Sequence, residues 1–249
     1  MTQLNGKVAI ITGGARGMGA ATVRTFVEAG ARVAIADVLT EAGAQLAAEL
    51  GDAARFYALD VSNPDNWAEV VRQVETDLGP VDILVNNAGT QYPNEDLTTL
   101  SDEQWLNTFD TNIHSIFFLT KAALPHLKED DSIINTTSVN AYIGPQMLID
   151  YTATKGAIVS FTRALSNQIA GKGIRVNAVA PGPVWTPLQP ATLGDYNPEL
   201  LENFGHETPM GRAGQPSELG PIYVFLASLD SSYISGQVIH PNGGTMVGG

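Results

Sequence analysis

The chain has 249 residues, no cysteine and a formal net charge of −13 at pH 7. This acidic balance argues against nucleic acid or an anionic membrane as a partner, because the average surface would repel phosphate. The lack of cysteine excludes disulfides, thiolate nucleophiles and zinc–thiolate sites. The histidines are scattered singly and predict no metal centre.

A hydrophobic content of 44% is sufficient for one well-buried α/β core. No linker-like or repetitive segment interrupts the chain, so we expect a single domain over residues 1–249. The N-terminal MTQLNGKVAII lacks a basic region followed by a sustained apolar one, and no apolar run approaches the length of a membrane span. These features predict a cytoplasmic protein.

Seven short β-branched runs alternate with segments of helical periodicity. The predicted strands are KVAIIT, RVAIAD, ARFYALD, VDILVNN, SIINTTS, IRVNAVAPG and GQVIHPNGG. Helical spacing is seen in residues 17–29, 64–78, 101–127, 151–170 and 216–228. This alternation predicts an α/β fold, a Rossmann-type doubly wound parallel sheet of seven strands with helices on both faces. Ligands should then bind just beyond the carboxyl ends of the strands.

The loop after the first strand, ITGGARGMGAA, is rich in glycine and leads into a helix. Such a loop lets backbone N–H groups at a helix N-terminus approach a pyrophosphate, so a dinucleotide is the expected guest. The spacing Thr12-Gly-x-x-x-Gly-x-Gly19 differs from G-x-G-x-x-G, and an ordinary turn is the alternative interpretation.

Two charged residues bear on which dinucleotide binds. Asp37 ends the second strand, where a carboxylate accepts hydrogen bonds from the adenosine ribose hydroxyls and repels a 2′-phosphate. Arg16 in the loop favours the opposite choice, because its guanidinium would hold that phosphate unless it points to solvent. We give Asp37 more weight, so NAD is the predicted cofactor and NADP the less favoured one.

Tyr151 and Lys155 lie four residues apart, one helical turn, and so face the same side. The pair alone is weak evidence, since Tyr-x-x-x-Lys also occurs by chance. Its position is more informative, because it opens the helix after the fifth predicted strand and Ser138 ends that strand.

Taken together, these motifs resemble the short-chain dehydrogenase/reductase family over the whole chain. The resemblance is carried by Thr12-Gly-x-x-x-Gly-x-Gly19, Asn86-Asn-Ala-Gly89, Asn112, Ser138, Tyr151-x-x-x-Lys155 and Pro181-Gly182. Within the family, INTTSVNAYIG, DYTATKGAI, PGPVWTPL and QPSELGPIYVFLAS are most similar to a glucose/ribitol-dehydrogenase-like branch.

The resemblance implies a catalytic role for four residues. Tyr151 would be the general acid/base, and Lys155 would lower its pKa and hold the nicotinamide ribose. Ser138 would hydrogen-bond the substrate oxygen, and Asn112 would help to hold a water in the proton relay. Read in isolation, Ser138 would serve as well as a cap or turn residue and Asn112 as an exposed helix residue.

The same resemblance implies contacts to the dinucleotide. These would come from Gly13, Arg16, Gly17, Met18, Gly19, Asp37, Asp60, Val61, Asn87, Ala88, Gly89, Tyr151, Lys155, Pro181, Gly182, Val184 and Thr186. Asp60 and Val61 would flank the adenine, whereas Pro181, Gly182, Val184 and Thr186 would contact the nicotinamide end. Without the family, the segment 86–89 reads equally as a strand-ending turn.

Residues 187–214 form a long insertion that suggests a substrate lid, with a packed structural loop as the alternative. If the family layout holds, polar and aromatic groups face the substrate: Gln91, Tyr92, Asn140, Gln146 and Trp185. This mixture suits a sugar or polyol, and a smaller secondary alcohol or ketone stays open. The acidic run 129–131 is interpreted as a solvated turn, and it argues against an acidic acyl-carrier substrate.

The helices at 101–127 and 151–170 are apolar beyond one stripe, and the family usually pairs them between subunits. We therefore expect a homotetramer, or at least a dimer. The leading hypothesis is an NAD-dependent oxidoreductase that acts on a small-molecule alcohol or carbonyl and needs no metal. The alternatives are an NADPH-dependent carbonyl reductase and a non-catalytic dinucleotide-binding sensor.

Overall fold

The computed structural model describes residues 3–194 and 196–247. Seven strands form one sheet in the order β3-β2-β1-β4-β5-β6-β7, and every neighbouring pair is parallel. Their bounds are β1 Val8–Thr12, β2 Arg32–Asp37, β3 Ala54–Ala58, β4 Ile83–Asn86, β5 Ser132–Thr136, β6 Arg175–Val179 and β7 Val238–Ile239. The prediction of a seven-stranded parallel sheet is confirmed.

Helices cover both faces of this sheet. Their bounds are α1 Gly17–Glu28, α2 Thr40–Leu50, α3 Trp67–Leu78, α4 Asp102–Phe109, α5 Ser115–Ala123, α6 Asn140–Ile143, α7 Ile149–Ile169, α8 Leu188–Leu193, α9 Pro198–Glu202 and α10 Pro216–Ala227. Among the described residues, none of these helices combines the length and apolarity needed to span a membrane.

The core consists of two apolar layers, one on each side of the sheet. On one face α3, α5 and α7 pack through residues such as Val71, Leu119 and Ile169. On the other face α1 and α10 pack through residues such as Phe26 and Tyr223. Successive residues of a strand point to opposite faces, which explains why the inner strands are apolar throughout.

The segment predicted as helical over residues 101–127 is interrupted. Between α4 and α5 the backbone widens into a π-helical turn over Asp110–His114, and a short 3-10 turn over Leu124–His126 follows α5. A π-helical turn changes the direction in which the residues after it project, and such turns are frequent at functional sites. The apolar periodicity of 101–127 carries no signal for it.

At the amino ends of the strands, Lys7 joins two carboxylates. Its Nζ donates to Asp82 Oδ1 at 3.0 Å and to Asp131 Oδ1 at 3.3 Å. Burial raises the pKa of Asp82, but the Val8 N–H and Lys7 together hold that pKa below its usual value. For Asp131 burial prevails, and its pKa is raised.

The prediction that the whole run 129–131 is solvated is therefore wrong at Asp131. This residue is 1% exposed, and its second oxygen accepts the backbone N–H of Lys128 at 2.8 Å. The turn folds Asp131 back under the sheet because Lys7, distant in sequence, supplies the compensating charge there.

We expect Lys7→Met to lower the free energy of unfolding by about 2 kcal/mol at pH 7, because it leaves two carboxylates without their shared cation. The value is at the low end for a buried pair, since 32% of the Lys7 side chain is exposed. The loss should shrink as pH falls towards 4, because Asp131, whose pKa is raised, is protonated first and then no longer needs the ammonium. Urea denaturation at both pH values measures it. Lys128→Met, 62% exposed and 3.6 Å from Asp82, is the control, and an equal loss there would contradict the assignment.

Candidate active site

The loop between β1 and α1 is compact because two of its glycines lie against backbone. A Cβ on Gly19 would stand 1.9 Å from the carbonyl oxygen of Gly13. Gly13 itself has φ +61°, a left-handed conformation. A Cβ placed on Gly13 would lie 2.9 Å from Ala88 Cα. The start of α1 is thus pressed onto the loop, with its first N–H groups facing the carboxyl edge of the sheet.

A cavity of about 440 Å³ opens in front of this loop. Its lining includes predicted cofactor residues from the segments at the ends of β1, β2, β3, β4 and β6: Gly13, Arg16, Gly17, Met18, Gly19, Asp37, Asp60, Val61, Asn87, Ala88, Gly89 and Thr186. The residues that the sequence analysis missed are Val38, Leu39, Leu59, Thr111, Pro187 and Leu188. Each of them is within two positions of a predicted site residue, so adjacency in sequence to those residues was the available signal.

Asp37 is 8% exposed and already bonded to backbone. Its Oδ2 accepts from Ala15 N at 2.9 Å and its Oδ1 from Leu39 N at 3.0 Å. The carboxylate therefore organises the loop as well as lining the cavity. Arg16 is exposed at the start of α1, and its side chain makes no capping hydrogen bond.

Asn87 connects the end of β4 to the end of β1. Its backbone N–H donates to the Thr12 hydroxyl at 2.9 Å, and its Nδ2 donates to the Thr12 carbonyl at 3.0 Å and the Gly13 carbonyl at 3.3 Å. Its Oδ1 is buried and has no hydrogen-bond partner within the described chain. A buried acceptor left open beside a cavity fits a site that receives a donor group from a ligand.

Three predicted residues lie behind the cavity wall. The Pro181 carbonyl accepts from Val139 N at 3.0 Å, and Gly182 N donates to the Pro241 carbonyl at 3.0 Å. Val184 is 4% exposed and forms a β-bridge with Gly214. These contacts tie the segments that follow β5, β6 and β7 to one another, and they place Thr186 and Leu188 at the rim.

Tyr151 and Lys155 both lie on α7, which confirms the predicted shared helix. Lys155 Nζ is 5.3 Å from the centre of the Tyr151 ring and donates to the Thr136 carbonyl at 2.9 Å. The Thr137 hydroxyl donates to the Lys155 carbonyl at 2.7 Å, so the end of β5 holds the start of α7. The Ser138 Oγ accepts the backbone N–H of Asn140 at 3.1 Å, and the Ser138 side chain lies close enough to the Tyr151 phenol to lower its pKa.

Asn112 lies in the π-helical turn and is 0% exposed, so it is not the exposed helix residue of the alternative interpretation. Its Oδ1 accepts from Thr90 N at 2.8 Å, and its Nδ2 donates to Thr90 O at 2.9 Å and to Thr154 Oγ1 at 3.1 Å. A Cβ on Gly89 would lie 3.3 Å from Asn112 Oδ1 and 3.5 Å from Lys155 Nζ. Gly89 lines the cavity, so both side chains reach its edge.

The ionisation of this pair departs from the expectation that Lys155 lowers the pKa of Tyr151. Burial raises the pKa of Tyr151, and the hydrogen bond from Ser138 opposes that rise only in part. Burial also lowers the pKa of Lys155 to about 8. The Lys155 Nζ donates to the Thr136 carbonyl, and burial and Ser138 account for the pKa of Tyr151 without a contribution from the Lys155 charge.

Two of the residues predicted to face a substrate, Gln91 and Trp185, lie in different parts of the structure. Gln91 is 6% exposed and its Nε2 donates to Thr192 Oγ1 at 3.1 Å, so the segment after β4 contacts α8. Trp185, by contrast, packs on Phe204 with ring centres 6.0 Å apart. It lines a separate groove with Arg212, away from the cavity in front of α1, and its contact with a substrate stays a prediction.

The insertion at 187–214 contains α8 and α9, and α8 begins at the cavity rim. Within the described parts of the chain, no group of three or more histidine, aspartate or glutamate side chains is arranged to hold a metal ion.

Comparison with known proteins places the chain among oxidoreductases. Residues 13–246 match a family model described as enoyl-(acyl carrier protein) reductase. The chain is 50% identical to NADPH-dependent aldehyde reductase 1, chloroplastic, of Arabidopsis thaliana, over 98% of this chain and 88% of the relative. It is 49% identical to glucose and ribitol dehydrogenase of Daucus carota, over 99% and 87%.

Solved structures show the same similarity. A short-chain dehydrogenase/reductase described as glucose/ribitol dehydrogenase from Brucella melitensis superposes with a TM-score of 0.89 at 35% identity, over 98% of this chain and 99% of the other. A 3-ketoacyl-(acyl-carrier-protein) reductase from Brucella melitensis complexed with NADH superposes with a TM-score of 0.90 at 33% identity, over 97% and 98%.

We expect Gly19→Ala to abolish dinucleotide binding, because its Cβ would overlap the Gly13 carbonyl and push α1 away from the loop. Gly171→Ala is the matched control, since nothing lies within 4 Å of a Cβ there. Quenching of protein fluorescence by NADH and by NADPH reports binding to the folded proteins. Unchanged affinity in Gly19→Ala would show that the cavity in front of α1 is not the dinucleotide site.

Proposed function

Because the chain belongs to the short-chain dehydrogenase/reductase family, we propose that it is an NAD(H)-dependent oxidoreductase. It interconverts a secondary alcohol, a sugar, polyol or similar hydroxyl compound, with the corresponding carbonyl by hydride transfer. The supporting observation is that Tyr151 and Lys155 lie together on α7, and that Lys155 and Asn112 lie beside Gly89, which lines the cavity in front of α1.

In this proposal the cavity holds the dinucleotide along the carboxyl edge of the sheet. The N–H groups at the start of α1 face the pyrophosphate, Asp37 the adenosine ribose, and Asp60 and Val61 the adenine. Asn87, with its open Oδ1, and Gly89 line the path towards Lys155. When bound, the nicotinamide supplies or accepts the hydride.

Tyr151 exchanges the proton with the substrate oxygen, while the Ser138 hydroxyl hydrogen-bonds that oxygen and stabilises its developing charge. Lys155 takes part in the proton relay next to the phenol. Asn112, held by hydrogen bonds to Thr90 and Thr154, lies at the inner end of this proton relay. For carbonyl reduction Tyr151 must donate a proton, and the raised pKa keeps that proton in place.

In alcohol oxidation Tyr151 accepts a proton, so it has to be ionised first. Lowering its pKa from the ordinary value of about 10 to between 7 and 8 requires about 3 to 4 kcal/mol, and the rise that burial causes has to be overcome as well. Positive charge has to provide this free energy, from Lys155 in its protonated form and from the oxidised cofactor. Oxidation should therefore accelerate as pH rises, because a larger fraction of Tyr151 is then ionised.

Tyr151→Phe is expected to reduce turnover about a thousandfold, because the proton donor is lost and the ring is kept. Nicotinamide absorbance, followed with NAD and then NADP over aldoses, polyols, secondary alcohols and their carbonyl forms, measures this. NADH affinity should be unchanged. Tyr233→Phe, at a fully exposed site, is the control. If the parent binds NADH tightly and turns over no compound of a broad panel, the non-catalytic sensor becomes the better interpretation.

Our preference for NAD rests on Asp37. A carboxylate held in place by two backbone N–H groups cannot turn away from a 2′-phosphate, so like charges would meet. The exposed Arg16 supports the alternative, an NADPH-dependent carbonyl reductase. The named relatives leave both open, since one is called NADPH-dependent and one structure is a complex with NADH.

We expect Asp37→Asn to shift the ratio of kcat/KM for NAD over NADP by about tenfold towards NADP, or ~1.4 kcal/mol. The amide keeps the shape but only one of the two acceptor oxygens, so the charge is lost together with one hydrogen bond to the loop. Arg16→Ala should have little effect with NAD. A parent protein that already prefers NADPH, or a large loss of NADP activity in Arg16→Ala, would contradict our interpretation of Asp37.

The substrate lid at 187–214 and the homotetramer are parts of the same proposal. The contact of Gln91 with Thr192 supports the lid, because it joins α8 to the segment after β4. Exposed apolar side chains on α4 and α5 support subunit pairing: Leu106 is 55%, Phe117 46% and Phe118 38% exposed. A cytoplasmic location stays a prediction, since the Arabidopsis relative is named as chloroplastic.

A further inference from the structure

A buried carboxylate precedes Tyr151, and the chemistry proposed above does not use it. Asp150 is the second residue of α7 and is 1% exposed. Among the described residues it has no lysine, arginine or histidine within ion-pair distance. A carboxylate buried in this way is costly unless its oxygens receive hydrogen bonds.

Asp150 receives such bonds from two helices. Its Oδ2 accepts from the Thr108 hydroxyl at 2.8 Å and from Gln104 Nε2 at 3.1 Å, both on α4. Its Oδ1 accepts the backbone N–H of Tyr151 at 2.7 Å. Gln104 Nε2 also donates to the Tyr92 carbonyl at 3.1 Å, so the segment after β4 joins the same network.

We propose that Asp150 is a positioning residue, whose carboxylate clamps α4 to the first turn of α7 and so holds the Tyr151 phenol against Ser138. The inference rests on the proposed acid/base role of Tyr151. Thr108 is 0% exposed, so water is not at hand to replace its hydroxyl. The start of α7 has no other side-chain cap, since Leu148 at the N-cap position offers none.

The clamp has a consequence for the ionisation of Tyr151. The hydrogen bond from Ser138 lowers the pKa of Tyr151 against the effect of burial. If α7 starts in a looser position, that bond weakens and the pKa of Tyr151 rises further. The other titratable groups facing the phenol are Lys155 on α7 and Tyr223 from α10, and neither contacts the clamp.

Three substitutions separate geometry from charge. Thr108→Val and Gln104→Met each remove one donor without changing the net charge, whereas Asp150→Asn also removes the carboxylate charge. Glu103→Gln, an exposed carboxylate on the same helix, is the matched control. In the first two variants we expect kcat to fall about tenfold or more, through displacement of the phenol. NADH affinity should stay at the parent value, because the cavity does not include these residues.

A pH titration that needs no substrate tests whether the clamp affects the ionisation of Tyr151. Tyrosinate absorbance is recorded against pH for the parent, Thr108→Val and Gln104→Met. The same titration is recorded for each protein with Tyr151→Phe added, and subtracting this second curve leaves the signal of Tyr151. A higher midpoint in both variants, with Glu103→Gln unchanged, supports the clamp. A lower Tm with an unchanged Tyr151 midpoint and kcat would reduce Asp150 to a structural anchor and overturn the inference. A parent without turnover would count against the proposed function, while the titration would still test the clamp.

Discussion

The parallel pairing of β1 with β4 is the constraint on which the rest of the site depends. At this point the strand order reverses, since β2 and β3 continue to one side and β5 to β7 to the other. Two crossover helices leave in opposite directions, so a crevice opens at the carboxyl edge. Thr12 and Asn87 close its floor by bonding the two strand ends to each other, and Gly19 brings α1 down onto it. The cavity follows from this topology.

The end of the crevice at Tyr151 is built on the next strand of the sheet. The end of β5 holds α7 through Thr136 and Thr137, and both of these contacts are made with Lys155. On the far side Asn112 projects inward because the backbone between α4 and α5 widens by a π-helical turn. Asp150 then fixes α4 to α7. Three elements that are distant in sequence thus position one phenol, and each depends on buried hydrogen bonds that water does not replace.

The pKa shifts of Tyr151 and Lys155 bear on the direction of proton transfer at this site. In the structure burial raises the pKa of Tyr151, which keeps it protonated, and lowers the pKa of Lys155 to about 8, so the Lys155 proton is the more readily released of the two near neutral pH. The same burial that keeps Tyr151 protonated makes it a weaker acid and opposes formation of the phenolate that would act as a base. Tyr151 acts as a base only when positive charge in the crevice lowers its pKa.

The sequence by itself determined the sheet, the loop at α1 and the pairing of Tyr151 with Lys155, because strand periodicity, glycine spacing and an interval of four residues are local properties of the chain. Only the tertiary structure decided the buried state of Asn112, Asp131 and Asp150. Each is a polar residue in a segment that reads as exposed, and each is buried because a partner far along the chain satisfies it. It also decided that Trp185 lies outside the cavity. Long-range hydrogen bonds and ion pairs leave no period in a sequence, so these features become visible only after folding.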